Sequence, residues 1–207
     1  MEFHYDEETI ILAKEMTAYD DFTRKFVDIL DACKIRYTLM SGYVALLFGR
    51  SRMTEDIDMF LEQITKEQFK ELWEKLCATF ECINTSDWES AFDDYLQENM
   101  ALRFAYHGEY APNMEVKFPH GVHSLFSLKN RREVLFNGKQ LFISPLELQI
   151  PFKLHMGSDK DLEDAKHLYN FFQEHLEREL YDDFLRKFNI TPKTLEVLDE
   201  STQHRLG

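Results

Sequence analysis

The sequence predicts an α+β protein: a small mixed β-sheet with flanking helices over residues 1–143, then a helical region over 144–207 packed on it. Three observations predict this. Short apolar segments with two-residue alternation recur at 36–40, 56–62, 100–107 and 113–118. Amphipathic segments with helical spacing lie between and before them. From Ser144 onward the pattern turns mainly helical.

The first helix is "YDDFTRKFVDILDACKI", which places Phe22, Phe26, Ile29, Leu30 and Cys33 on one face. Asp20 and Asp21 suit its first turn, where the helix dipole favours negative charge. "RYTLM" (36–40) follows as a short strand, and the chain turns at Ser41-Gly42. "YVALLF" is a short helix ended by Gly49, and "DIDMFLE" (56–62) is an alternating strand. "TKEQFKELWEKLCATF" (65–80) is a strong amphipathic helix with Thr65 as its N-cap. A shorter helix covers "DWESAFDDYLQ". "MALRFAYH" and "NMEVKF" flank the polar turn "GEYAPN" as a hairpin. Three helical segments then follow, "SPLELQIPFKLHM", "DKDLEDAKHLYNFFQEHL" and "ERELYDDFLRKF", the first expected to end or kink at Pro151.

Composition narrows the function classes. The 207-residue chain has 7 Gly and 5 Pro, too few for a disordered or collagen-like protein, and 18 Phe, enough for a proper core. Its net charge of −14 opposes general binding to nucleic acid or an anionic membrane. The acids concentrate near the N-terminus, at Glu2, Asp6, Glu7, Glu8, Glu15, Asp20 and Asp21. A basic stretch at 129–139 holds Lys129, Arg131, Arg132 and Lys139 against Glu133, either a solvated face or a guide for a polyanion. Cys33, Cys77 and Cys82 form no CxxC pair, which suits reduced thiols. With no secretory signal and no apolar run of membrane length, the expectation is a cytoplasmic protein with no membrane partner.

The chemistry concentrates in "SGYVALLFGRSRMTEDIDMFLE", residues 41–62. On a strand, Asp56 and Asp58 project to one face while Ile57 and Met59 point to the other. Two adjacent carboxylates cost free energy unless a cation lies between them, and Mg²⁺ is the natural candidate. A lone Asp-Ile-Asp is otherwise a solvated strand face. Upstream, a strand, a Ser41-Gly42 turn and a helix N-terminus offer backbone N–H groups to a phosphate. The Ser41 hydroxyl adds a donor, Gly42 permits close backbone approach, and Arg50 and Arg52 lie within reach of a triphosphate.

This stretch resembles the signature of the DNA polymerase β-type nucleotidyltransferase superfamily, and within it the minimal AbiEii toxin-like branch. That branch carries a Gly-Gly-x-Ala start and an Arg-x-Thr-x-Asp-Ile-Asp finish, matched here by Ala45, Arg52, Thr54, Asp56, Ile57 and Asp58. Ser41-Gly42 stands where Gly-Gly is commoner, so a positive φ at position 41 would strain the serine. The superfamily's third carboxylate maps to Glu115 of "NMEVKF", where many relatives have Asp. A second segment, residues 144–169, resembles the branch through Lys153 and through Lys160, Asp161 and Asp164.

The resemblance implies a nucleotidyltransferase fold and transfer of an NMP from an NTP to an acceptor: RNA such as tRNA, a protein, or a small molecule. Asp56, Asp58 and Glu115 would be catalytic and would hold two Mg²⁺ ions, with Glu115 helping to deprotonate the acceptor. Ser41, Gly42, Arg50, Arg52 and Lys153 would position the phosphates, and Asp161 would orient groups beside the metals. It also implies the toxin of a toxin–antitoxin pair, with a cognate antitoxin protein as partner. The rival expectation is a non-catalytic nucleotide-binding or interaction module that keeps the fold. The H-x-x-H pair His120/His123 lacks a third ligand, and the stripe Tyr169, Phe171, Phe172 is expected in the core.

Overall fold

The computed structural model describes residues 2–5 and 9–198. Asp6, Glu7 and Glu8 of the acidic N-terminal run lie outside these residues. In chain order the elements are β1 (Glu2–Tyr5), β2 (Thr9–Ala13), α1 (Ala18–Ala32), β3 (Tyr37–Met40), α2 (Gly42–Leu47), β4 (Asp56–Leu61), α3 (Lys66–Leu76) and β5 (Phe80–Cys82). A short helix, α4 (Trp88–Ser90), passes directly into a π-helical stretch, Ala91–Leu96. Then come β6 (Leu102–Tyr106), β7 (Asn113–Lys117), α5 (Val122–Lys129), β8 (Arg132–Phe136) and β9 (Lys139–Ile143). Helices α6 (Leu146–Met156), α7 (Asp159–Phe172), α8 (Arg178–Lys187) and α9 (Pro192–Leu195) follow, the last running into a 3₁₀ turn.

Among the described residues nine strands form one mixed sheet in the order β1-β2-β8-β9-β3-β4-β7-β6-β5. The pairs β2–β8, β3–β9 and β4–β7 are parallel, and the other neighbours are antiparallel. The α+β class therefore holds, and the sheet is wider than the four alternating segments suggested. Of the additional strands, β8 and the first residue of β9 fall within the basic stretch 129–139. Their turn is Asn137-Gly138, both at positive φ (47° and 78°), the residue pair favoured in tight hairpins.

Local chemistry explains the main boundaries. Thr17 and Asp20 form a reciprocal capping box at the start of α1, and Thr65 and Gln68 do the same for α3. Asp20 does more than cap. It is buried, accepts from Lys14 Nζ at 2.6 Å, and accepts from the Tyr43 hydroxyl at 3.0 Å, tying α1 to α2. Helix α6 does not end at Pro151. It runs through the proline to Met156 and stops at Gly157, which takes the left-handed conformation (φ 68°). Pro151 lies in the second turn and lacks only the N–H that would have bonded residue 147.

One face of the sheet is sealed by aromatic packing. Phe22 and Phe26 of α1 meet Phe80 of β5 at ring distances of 5.3 Å, and Trp73 of α3 meets Phe104 of β6 at 5.7 Å. Ile57, Met59 and Leu61 of β4 are buried in the same core, as are Met114 and Val116 of β7. The C-terminal helices contribute to that core through Leu146, Ile150, Leu154, Ala165, Leu168 and Phe172, with Tyr169 and Phe171 packed at its margin. The alternate residues of β4 and β7 are left for the polar face.

Candidate active site

The register of β4 against β7 builds the polar face. Directly paired residues share a face, and here Asp56 pairs with Asn113, Asp58 with Glu115, and Phe60 with Lys117. On the far side of β7, Arg103 of β6 pairs with Glu115. On the near side of β4, Met40 at the end of β3 pairs with Asp58, which brings the following Ser41-Gly42 turn beside the carboxylates. The structure thus unites Asp56, Asp58, Glu115, Ser41 and Gly42.

Each carboxylate has its own environment. Asp56 accepts a 2.8 Å hydrogen bond from Asn113 Nδ2, whose amide also contacts the carbonyls of Glu55 and Tyr110. The Thr54 hydroxyl donates to the Asp56 carbonyl at 3.0 Å and fixes the strand entry. Burial pushes the Asp58 carboxyl above its usual range; Lys117 and the Ser41 hydroxyl oppose this, while Glu115 and Asp56 add to it. Glu115 accepts from Arg103 Nε and Nη2 at 3.2 and 3.1 Å through Oε2, and from Lys117 Nζ at 3.3 Å through Oε1. Among the described residues, no three His, Cys, Asp or Glu side chains form a group that could hold a metal ion as they stand.

Ser41 has φ 61° and ψ −133°, the strained positive-φ conformation that glycine adopts at no cost. Its N–H donates to Gln149 Oε1 of α6 at 2.9 Å, so the C-terminal helices pin the turn. Gly42 leaves room for a side chain from elsewhere. A Cβ there would overlap Arg52 Nη2 and lie 2.9 Å from its Cζ.

Arg50, Arg52, Lys153 and Asp161 are brought together, but around a buried hub. Asp164, wholly buried at the start of α7, lies 2.9 Å from Arg50 Nε, 3.1 Å from Arg52 Nη2 and 2.8 Å from Lys153 Nζ. Lys153 is itself buried and also reaches Asp161 at 3.3 Å, while Arg50 pairs with Glu163. Arg52 joins this hub to the Ser41-Gly42 turn.

Sequence reasoning missed Asn113, Arg103 and Lys117. Alternation along "NMEVKF" places 113, 115 and 117 on one face, but only strand pairing sets Arg103 against them. The basic stretch 129–139 is largely committed internally: Arg131 stacks on Phe142 at 3.6 Å, Lys139 pairs with Asp28 at 2.8 Å, and Arg132 lies 3.8 Å from buried Glu147. His120 and His123 are exposed at the start of α5.

This architecture matches solved structures. ANT(2″)-Ia in complex with adenylyl-2″-tobramycin aligns over 84% of this chain and 98% of its own at TM-score 0.53 and 12% identity. An antigenic nucleotidyltransferase-like protein from Paracoccidioides brasiliensis aligns over 88% and 94% at TM-score 0.51 and 16% identity. The chain has the nucleotidyltransferase fold. The lincosamide antibiotic adenylyltransferase LnuA, bound to lincomycin, shares that fold over 75% of this chain and 98% of its own, at TM-score 0.50 and 17% identity. No family model and no curated protein matches the chain in sequence. Within the nucleotidyltransferase fold described, no helix is long and apolar enough to cross a membrane.

Proposed function

We propose that this protein is a metal-dependent nucleotidyltransferase that moves an NMP from an NTP to an acceptor. One observation carries the reading: Asp56, Asp58 and Glu115 share one face of two paired parallel strands, beside the Ser41-Gly42 turn. The donor set suits a hard cation. Asp58 is half-buried beside two further carboxylates, an arrangement that a divalent ion such as Mg²⁺ relieves. Asp56 and Asp58 would hold it. When bound, the ion neutralises charge on the triphosphate and on the departing pyrophosphate.

The chain's own groups supply the rest. The acceptor hydroxyl oxygen attacks the α-phosphorus in line, the bond from that phosphorus to the bridging oxygen breaks, and pyrophosphate leaves with the bonding pair. The hydroxyl proton passes to Glu115, which Arg103 and Lys117 hold in place. Ser41 and Gly42 orient the phosphates, with Arg52 behind Gly42 supplying positive charge. Arg50, Lys153 and Asp161 act through the Asp164 hub, which sets where Arg52 stands.

The net charge of −14 favours a small-molecule acceptor or a small footprint on RNA such as tRNA, or on a protein. Two of the similar structures contain an adenylylated aminoglycoside and a lincosamide, which supports trying such acceptors first. The signature at 41–58 and the Lys153–Asp164 segment support an AbiEii-like toxin paired with an antitoxin, and free Cys33, Cys77 and Cys82 suit the cytoplasm.

The rival reading, a non-catalytic nucleotide-binding module, draws on Glu115 being engaged by two cations. Incubation with Mg²⁺, each labelled NTP, total RNA and an antibiotic panel separates the two. Label transfer that Asp58→Ala abolishes establishes the enzyme. NTP binding without transfer to any acceptor tried favours the rival.

A further inference from the structure

The polar face of the sheet carries cations as well as carboxylates. Lys117 lies two residues beyond Glu115 on β7, so both side chains leave the same face. Its Nζ is 3.3 Å from Glu115 Oε1 and 5.9 Å from the ring centre of Phe60, the residue paired with it and two along from Asp58. Arg103 occupies the other Glu115 oxygen from β6. Both oxygens of the third carboxylate therefore already face protein cations. An ammonium 3.3 Å from Glu115, the residue paired with Asp58, competes with any second ion that Glu115 would bind. Two cations in one such gap repel each other.

We propose that Lys117 serves as a built-in second cation. The site takes one divalent ion, on Asp56 and Asp58, and the Lys117 ammonium fills the position on Glu115 that a second ion would otherwise take. The proposal rests on reading this face as a nucleotidyltransferase site, and it replaces one of the two ions that the sequence resemblance implies. It also gives Glu115 a reason to be a glutamate: the longer side chain reaches Arg103 and Lys117 on its own sheet face.

Equilibrium dialysis of the full chain against Mn²⁺ at neutral pH, with thermal unfolding alongside, tests this. Wild type is expected to bind one Mn²⁺ per chain, Lys117→Met two, and Lys117→Arg one again. Lys117→Met should melt lower than wild type without metal and gain more Tm from saturating Mn²⁺. Lys117→Gln serves the same purpose where the methionine variant fails to fold. Two Mn²⁺ on wild type, or a single Mn²⁺ on both neutral variants, overturns the proposal and leaves the nucleotidyltransferase reading standing. No Mn²⁺ on wild type also overturns the proposal, and the Asp58→Ala transfer assay then decides the nucleotidyltransferase reading by itself.

Discussion

The guanidinium of Arg52 occupies the space that a side chain on Gly42 would need, and Asp164 holds it there at 3.1 Å. This contact links the Ser41-Gly42 turn to the second turn of α7, elements more than a hundred residues apart in sequence.

Gly42→Ala should therefore act on both. The added methyl group drives Arg52 off Asp164, and overpacking of this kind costs roughly 1–3 kcal/mol. Urea unfolding is expected to show that loss, together with weaker NTP binding in a filter assay. Unchanged values for both would mean that Arg52 steps aside freely.

Asp164→Asn should be more damaging. It leaves Arg50, Arg52 and Lys153 converging on a neutral group. Removing one partner of a buried ion pair costs about 3–5 kcal/mol. An unfolding free energy within about 1 kcal/mol of wild type, below the scale of a broken buried pair, would show that the hub is solvated rather than sealed.

Asp58→Asn is expected to abolish transfer yet raise stability at neutral pH. The Asp58 carboxyl is raised in the folded protein, chiefly by burial. Its contribution is fully present below the unfolded carboxylate range and is lost as pH rises through the folded value. Asparagine stays neutral at every pH, so its advantage should be largest at neutral pH and vanish in acid. Tm measured across that span checks this, and a variant less stable at pH 7 would contradict it.

Asn113→Ala removes the donor that fixes Asp56 at 2.8 Å. A hydrogen bond to a charged group is worth about 1.5–3 kcal/mol, and this one is half-buried, so a loss toward the lower end of that range is expected in unfolding free energy. Transfer activity should fall with it, because Asp56 is then free to turn away from Asp58 and Glu115. Full activity in a destabilised Asn113→Ala would make Asn113 purely structural.

Much of the site was legible because its signals are local. Asp56 and Asp58 share a face by the two-residue period of a strand, and Thr65 announces a helix by its capping chemistry. What stayed hidden needs contacts distant in sequence. Arg103 and Lys117 came to lie beside Glu115 only when β6, β7 and β4 paired in one register. The β8–β9 hairpin was masked because its charges drew attention to a surface, although Asn137-Gly138 carried the turn signal. Pro151 did not end its helix, since the packing of α6 outweighs one missing hydrogen bond.

The sequence by itself determined the α+β pattern, the carboxylate pair and the turn that precedes it, since these depend on residue spacing alone. The tertiary structure decided what those groups touch: Arg52 behind Gly42, Asp164 at the centre of three cations, and Lys117 beside Glu115. Electrostatic partners are chosen by distance in space, and strand register and helix docking set that distance.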